Sequence, residues 1–176
     1  MRLIPKPEPD EYPAYASVYI DRIPGDGRLL EHLAAARDAT SRLFLGLGEE
    51  RLLSRYAPGK WSLKEVLVHV VDDERVYAYR ALRFARGDAT PLPGFEQDDF
   101  ARLCGADSRG IDDILAEYTA VRDATIALYR GLPEEALLRS GVGNGKRSSV
   151  RALGYHIAGH EAHHLAIVRE RYLARP

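Results

Sequence analysis

One cysteine, Cys104, is all that the 176 residues contain. No internal disulfide can form, so packing must hold the fold, and the composition suits a reducing compartment. Nothing around Cys104 marks an activated thiolate, and it reads as a small buried hydrophobe. An excess of one charge is also missing: 26 acidic and 25 basic residues leave a formal net charge of -1. The two signs are interspersed, which offers no basic footprint for nucleic acid or for an anionic membrane surface. No apolar run approaches the roughly 20 residues of a membrane-spanning helix. The opening MRLIPKPEPDEYPAY is too polar and proline-rich for a secretory signal, so the expected location is the cytoplasm. What remains is 45% hydrophobic and 29% charged, an ordinary globular profile. The length predicts one domain over 1–176 with a sizeable core.

Taken in order, residues 1–25 hold prolines at 5, 7, 9, 13 and 24 and predict an extended arm lying across the domain. A first helix is expected from Asp26 to Gly46, with Leu29, Leu30, Leu33, Leu43 and Leu45 on its apolar side. Ser62 and Glu65 have capping-box spacing and start a second helix that runs to Arg86, before Gly87. Its inward stripe reads Leu63, Val66, Val70, Val76 or Tyr77, and Leu82, with His69 on or beside it. The long connection that follows predicts a short helical turn at Gln97 to Leu103. Asp107 or Ser108 is placed to cap a third helix, Ile111 to Tyr129, and Ser148 or Ser149 a fourth, running to Arg171. Between these two, SGVGNGKRSS predicts a mobile turn or short hairpin. Four amphipathic helices without a convincing strand make an all-α, four-helix bundle, with short extra helices in the connections. His69 lies near the start of its helix and His160 and His164 near the end of theirs. If these residues share a level, those helices are antiparallel, which favours an up-down-down-up order crossed by the segment 88–107.

Four of the six histidines crowd the last helix, in YHIAGHEAHHLAIVRERY. At about 100° per residue, His160 and His164 fall about 40° apart, and His156 and His163 share the same quarter of the surface. Imidazoles gathered beside apolar neighbours point to a divalent metal held by the i, i+4 pair, with zinc, nickel or iron all accepting such ligands. His69, the one other histidine on an inward helix, supplies a third ligand. His156 or His163 could replace one of the pair by geometry. Three imidazoles leave a coordination position open, as active rather than structural sites do. Asp72 and Asp73, three and four residues past His69, are candidates to accept an imidazole N–H behind the metal. His32 stands apart and is expected at the surface or rim. His160-Glu161-Ala162-His163-His164 also spells the helical zinc-protease motif, with Glu161 as a candidate base. Too little chain follows for that motif's downstream ligand, and a solvent-facing Glu161 is the safer expectation.

The stretch WSLKEVLVHVVDDERVYAYRALRFARGD, the terminal GHEAHHLAIVRERY, YPAYASVYIDRIPGDG near the start and TPLPGFEQDDF after the second helix together resemble the DinB-like (DinB/YfiT-like) superfamily of metalloenzymes. The resemblance covers most of the chain. It implies an up-down-down-up four-helix bundle and a divalent metal, nickel or zinc, on His69, His160 and His164, with His156 and His163 outside the ligand set. It further implies a small-molecule substrate, a low-molecular-weight thiol such as mycothiol or bacillithiol, with thiol S-transfer or hydrolysis as the reaction and a homodimer as the assembly. The alternative is a metal-stabilised bundle that binds a ligand, or acts in stress, without turnover.

Overall fold

The computed structural model describes residues 2–174. Met1 of the expected arm and the last two residues of the expected 1–176 domain lie outside the described residues. Four long helices form: α1 (Leu29–Leu45), α2 (Leu63–Ala85), α3 (Ile111–Gly131) and α4 (Val150–Ile167). Ser62 and Glu65 complete their capping box, each side chain accepting the other's backbone N–H. Such a cap contributes about 1 kcal/mol. Ser149 caps the start of α4 from one side only, its hydroxyl accepting from the Ala152 N–H. The start of α3 departs from expectation, because Gly110 and not Asp107 or Ser108 is its cap. Both predicted caps are committed elsewhere. The Ser108 hydroxyl donates back to the Gly105 carbonyl, and Asp107 accepts from Ser62 and Arg55.

Pairs of contacts fix the helix directions. His69 meets His160, Asp73 meets His160 and His156, and Tyr77 stacks on His156, so α2 and α4 are antiparallel. Lys64 bonds the Arg109 carbonyl and Glu74 pairs with Arg122, so α2 and α3 run together. Thr40 bonds Glu161 while Leu29 packs by Gly154, making α1 parallel to α4. Arg37 meets Asp123 and the Leu33 carbonyl meets Arg122; with Leu30 lying by Ile126 and Arg130, α1 opposes α3. The order is up-down-down-up. Each of α1 and α4 packs beside one or both of the middle helices, and α3 faces α4 across the diagonal.

The core is split by level. One apolar cluster joins Leu29, Leu33, Phe84, Tyr129, Leu153 and Tyr155; the other joins Phe44, Leu63, Leu67, Ile114, Tyr118 and Val168. Each buried Leu or Phe contributes on the order of 1.5–3 kcal/mol. On every long helix the residues between these clusters are polar and buried: Thr40 on α1, His69, Asp73 and Glu74 on α2, Arg122 on α3, and His156, His160 and Glu161 on α4. Burying such groups costs free energy unless they satisfy one another.

The connections match some expectations and correct others. The segment 140–149 is a hairpin, β1 (Ser140–Gly143) against β2 (Lys146–Ser149). Its turn residues Asn144 and Gly145 have φ of 50° and 68°, the paired left-handed conformation that suits the strand twist. Leu92 hydrogen-bonds along β1, tying the crossing segment to it. The helix Gln97–Leu103 forms where expected. Leu82 is exposed rather than inward, because Phe84 turns this end of α2 onto the hairpin at Gly141. The arm is not simply extended: it coils at Pro9–Glu11 and Ala14–Ala16 and forms a helical turn at Ser17–Ile20. Beyond Ile167, α4 widens into a π-helical stretch, Val168–Leu173. Among the described residues no helix is long and apolar enough to cross a membrane.

Candidate metal centre

His69 sits two turns into α2, and His160 and His164 occupy successive turns near the end of α4. Antiparallel packing brings the three to one level. The His160 Nε2 lies 3.2 Å from the His69 Nε2 and 3.1 Å from the His164 Nε2. One ligand atom from each ring falls within 4.8 Å of the others. Nitrogens bound tetrahedrally at 2.0–2.1 Å sit about 3.3–3.4 Å apart, and at right angles about 2.9 Å apart. Both measured separations fall between these limits. Without a cation the arrangement is awkward, since a neutral imidazole has one lone pair and two neighbouring nitrogens crowd it. The donor set therefore fits a divalent metal of borderline softness.

The surroundings keep the rings neutral. Burial pushes His160 down to about 3, aided by the neighbouring imidazoles, and His164 to about 2; His69 is also lowered by burial. Neutral imidazole is the form that binds metal. Asp73 stands behind the site, its Oδ2 3.4 Å from the His160 Nδ1 and 3.5 Å from the His156 Nε2. Burial opposes its charge, yet the His160 and His156 rings hold it at about 2. A carboxylate at Nδ1 favours the proton there and leaves Nε2 free to ligate.

Of the two predicted carboxylates, only Asp73 reaches the histidines. Asp72 turns toward Arg75 at 3.8 Å, and burial pushes its carboxyl pKa up. Glu161 is neither solvent-facing nor a base beside the cluster. It is buried on the far side of α4, where Oε1 accepts from the Thr40 and Tyr118 hydroxyls and Oε2 pairs with Arg122 at 2.7 Å. One helical step, about 100°, separates it from His160, so the protease motif has the right letters and the wrong direction. His156 is buried flat against Tyr77, with ring centroids 3.8 Å apart. His163 is half-buried at the edge of the Tyr19 ring. Neither belongs to the converging trio. His32 pairs with Asp26 near the surface, and the half-buried Cys104 thiol donates to the Ala101 carbonyl.

Several residues of the site were not singled out from sequence. Trp61 packs on His69 at 4.7 Å and on His164 at 6.5 Å, walling one side. Tyr19, from the arm, touches His156, His160 and His163 with its ring. Arg122 carried a legible signal, since it lies in register with Tyr118, Ile126 and Tyr129 on the apolar face of α3. A cleft of about 670 Å³ opens beside His164, lined by Tyr56, Trp61, Gln97, Asp98 and Ile167 among others. The cleft thus reaches the three-histidine cluster at the His164 ring.

Comparison with known proteins agrees with the geometry. The family profile described as the DinB superfamily matches residues 32–168. The chain belongs to the DinB superfamily. A relative from Oceanobacillus iheyensis, OB0413, named as a candidate metal-dependent hydrolase, is 29% identical over 126 residues, covering 70% of this chain and 71% of its own. The solved structure of YfiT from Bacillus subtilis, described as a metal-dependent hydrolase candidate with an unusual four-helix bundle topology, superposes with a TM-score of 0.68 at 17% identity. It covers 97% of this chain and 93% of its own. At that identity the likeness is one of fold.

Proposed function

We propose that this DinB protein binds one divalent metal ion, nickel or zinc, through His69, His160 and His164, and uses it as an enzyme acting on a small molecule. The observation that carries this reading is the convergence of three imidazoles, with two Nε2 pairs 3.1 and 3.2 Å apart, beside an open cleft that His164 lines. When bound, such an ion supplies a Lewis-acid position that acidifies a water or a thiol. The chain does the rest. Asp73 keeps the His160 proton on Nδ1, Trp61 shields the ring faces of His69 and His164, and the cleft admits the reactant on the His164 side. Two reactions suit this arrangement: hydrolysis, the activity in the names of the relative and the structural neighbour, and transfer of a low-molecular-weight thiol to an electrophile. The cleft favours either over a closed metal that only braces the bundle.

His160→Ala removes the nitrogen shared by both short contacts, and stoichiometric nickel or zinc in the purified chain should fall to background by elemental analysis. Unchanged metal content in that variant would end the assignment. Reaction class is read by assaying the metal-loaded chain against an ester panel and against thiol and electrophile pairs, with the metal-stripped chain alongside.

A further inference from the structure

Among the described residues, the side chain of Arg122 joins all four long helices in the polar layer. Its Nε and Nη2 donate to the Glu74 carboxylate of α2 at 2.8–3.1 Å, its Nη1 donates to the Leu33 carbonyl of α1 at 3.0 Å, and Nη2 also meets Glu161 of α4 at 2.7 Å. It is completely buried, and both carboxylates are 1% exposed. Burial works against the guanidinium charge, and Glu161 and Glu74 more than offset it. Thr40 and Tyr118 donate to the other oxygen of Glu161, so its orientation is fixed from three sides.

The position of these partners matters as much as their charge. Glu74 directly follows Asp73, and Glu161 directly follows His160. Anchoring a residue one step along a helix fixes the rotation of that helix about its own axis. At about 6 Å from the axis, a turn of about 20° moves a side-chain atom by about 2 Å. That is as long as a metal–nitrogen bond. Apolar side chains slide over one another at little cost, whereas a guanidinium fork has fixed donor directions.

We infer that Arg122 is a positioning residue for the three-histidine site, setting the rotation of α2 and α4 through Glu74 and Glu161 so that His69, Asp73, His160 and His164 face one point. The inference rests on the metal reading above. It makes the clamp a device for geometry rather than for stability, and the two roles separate experimentally. Replacing a buried ionic cluster by apolar residues of similar volume is often neutral or stabilising, while removing one partner alone is strongly destabilising.

The test therefore replaces the whole cluster: Arg122→Met, Glu74→Met and Glu161→Leu, with Thr40→Val and Tyr118→Phe so that no hydroxyl is orphaned. A second variant, Glu74→Gln, keeps the shape and loosens only the α2 side. Folding is read by helical circular dichroism and cooperative melting. Metal binding is read by titration with cobalt(II), whose visible absorption reports coordination geometry. Both variants should fold and bind cobalt about 10–100-fold more weakly, with an altered spectrum, the range seen when a residue supporting metal ligands is lost. Parental affinity and spectrum in a folded variant would overturn the inference, and should the full replacement not fold, Glu74→Gln decides alone. Failure of the parent chain itself to take up cobalt overturns the metal reading and this inference with it. Uptake by the parent, undiminished in the variants, overturns this inference only.

Discussion

Asp73 holds a negative charge where charge is costly. It is buried, its Oδ2 makes no hydrogen bond among the described residues, and two imidazoles flank that atom at 3.4 and 3.5 Å. A carboxylate so placed gains from a cation beyond the His160 ring, because the ring transmits the pull from Nδ1 to Nε2. Asp73→Asn keeps the shape and an acceptor oxygen but removes the charge. Metal affinity should fall roughly tenfold, the lower end of the range for such partners, when measured by competition with a chelating dye. An unaltered affinity would show Asp73 to be a packing residue. Helical periodicity placed Asp73 and His69 on one face, since four residues return to within about 40°. It could not distinguish Asp73 from Asp72, which is about 100° away and points to Arg75. The same limit misplaced Glu161, because a motif of letters carries no depth: Arg122 and Tyr118, from another helix, draw that carboxylate inward.

Among the elements, the short turn Ser17–Ile20 does more than its length suggests. It brings Tyr19 against three histidines, and it can do so only because α4 has no side chain at Gly159. A Cβ there would lie 2.1 Å from the Tyr19 carbonyl oxygen, a backbone atom that cannot rotate away. Gly159→Ala must push the turn off α4 and should cost about 1–3 kcal/mol, the usual range for overpacking. In a chain of this size that lowers the melting temperature by ~2–4 °C per kcal/mol. Gly131→Ala, at the end of α3 where nothing lies within 4 Å, should leave the melt near the parent value. Equal behaviour of the two variants would mean that the turn is not seated as described. The long helices were legible because their caps and stripes are local chemistry, as at Ser62 and Glu65. The hairpin was legible as one of two alternatives from its glycine- and serine-rich stretch, but its pairing with Leu92 and the Tyr19 turn were not, because both form against distant surfaces: Gly159 receives Tyr19, and Leu92 bonds along β1. Proline spacing in the arm signalled extension, and short coils at Pro9–Glu11 and Ala14–Ala16 and the docked turn at Ser17–Ile20 override it.

At the scale of the whole molecule, the up-down-down-up order has one consequence for the metal. It sets α2 and α4 antiparallel, so that an early residue of one meets late residues of the other, an order that the positions of the three histidines along their helices already favour in the sequence. His69 and His160 are 91 positions apart in sequence. An ion bound to both therefore links the second helix to the last and closes a long loop that includes the crossing segment, α3 and the hairpin. A ligand that binds only the folded chain stabilises it by about 2.7 kcal/mol at a hundredfold excess over its dissociation constant. At ~2–4 °C per kcal/mol, loading nickel or zinc into the chelator-treated chain should raise its melting temperature by about 5–11 °C. The gain should vanish in His160→Ala, whose fold keeps both apolar clusters and loses only the shared nitrogen. A rise of the same size in that variant would mean that the ion acts elsewhere on the surface. No rise in the parent, at metal concentrations that saturate the site by titration, would mean that the site binds the metal equally well in the unfolded chain. The antiparallel meeting of α2 and α4 forbids that outcome, because three imidazoles spread over more than ninety residues converge only once the bundle has closed.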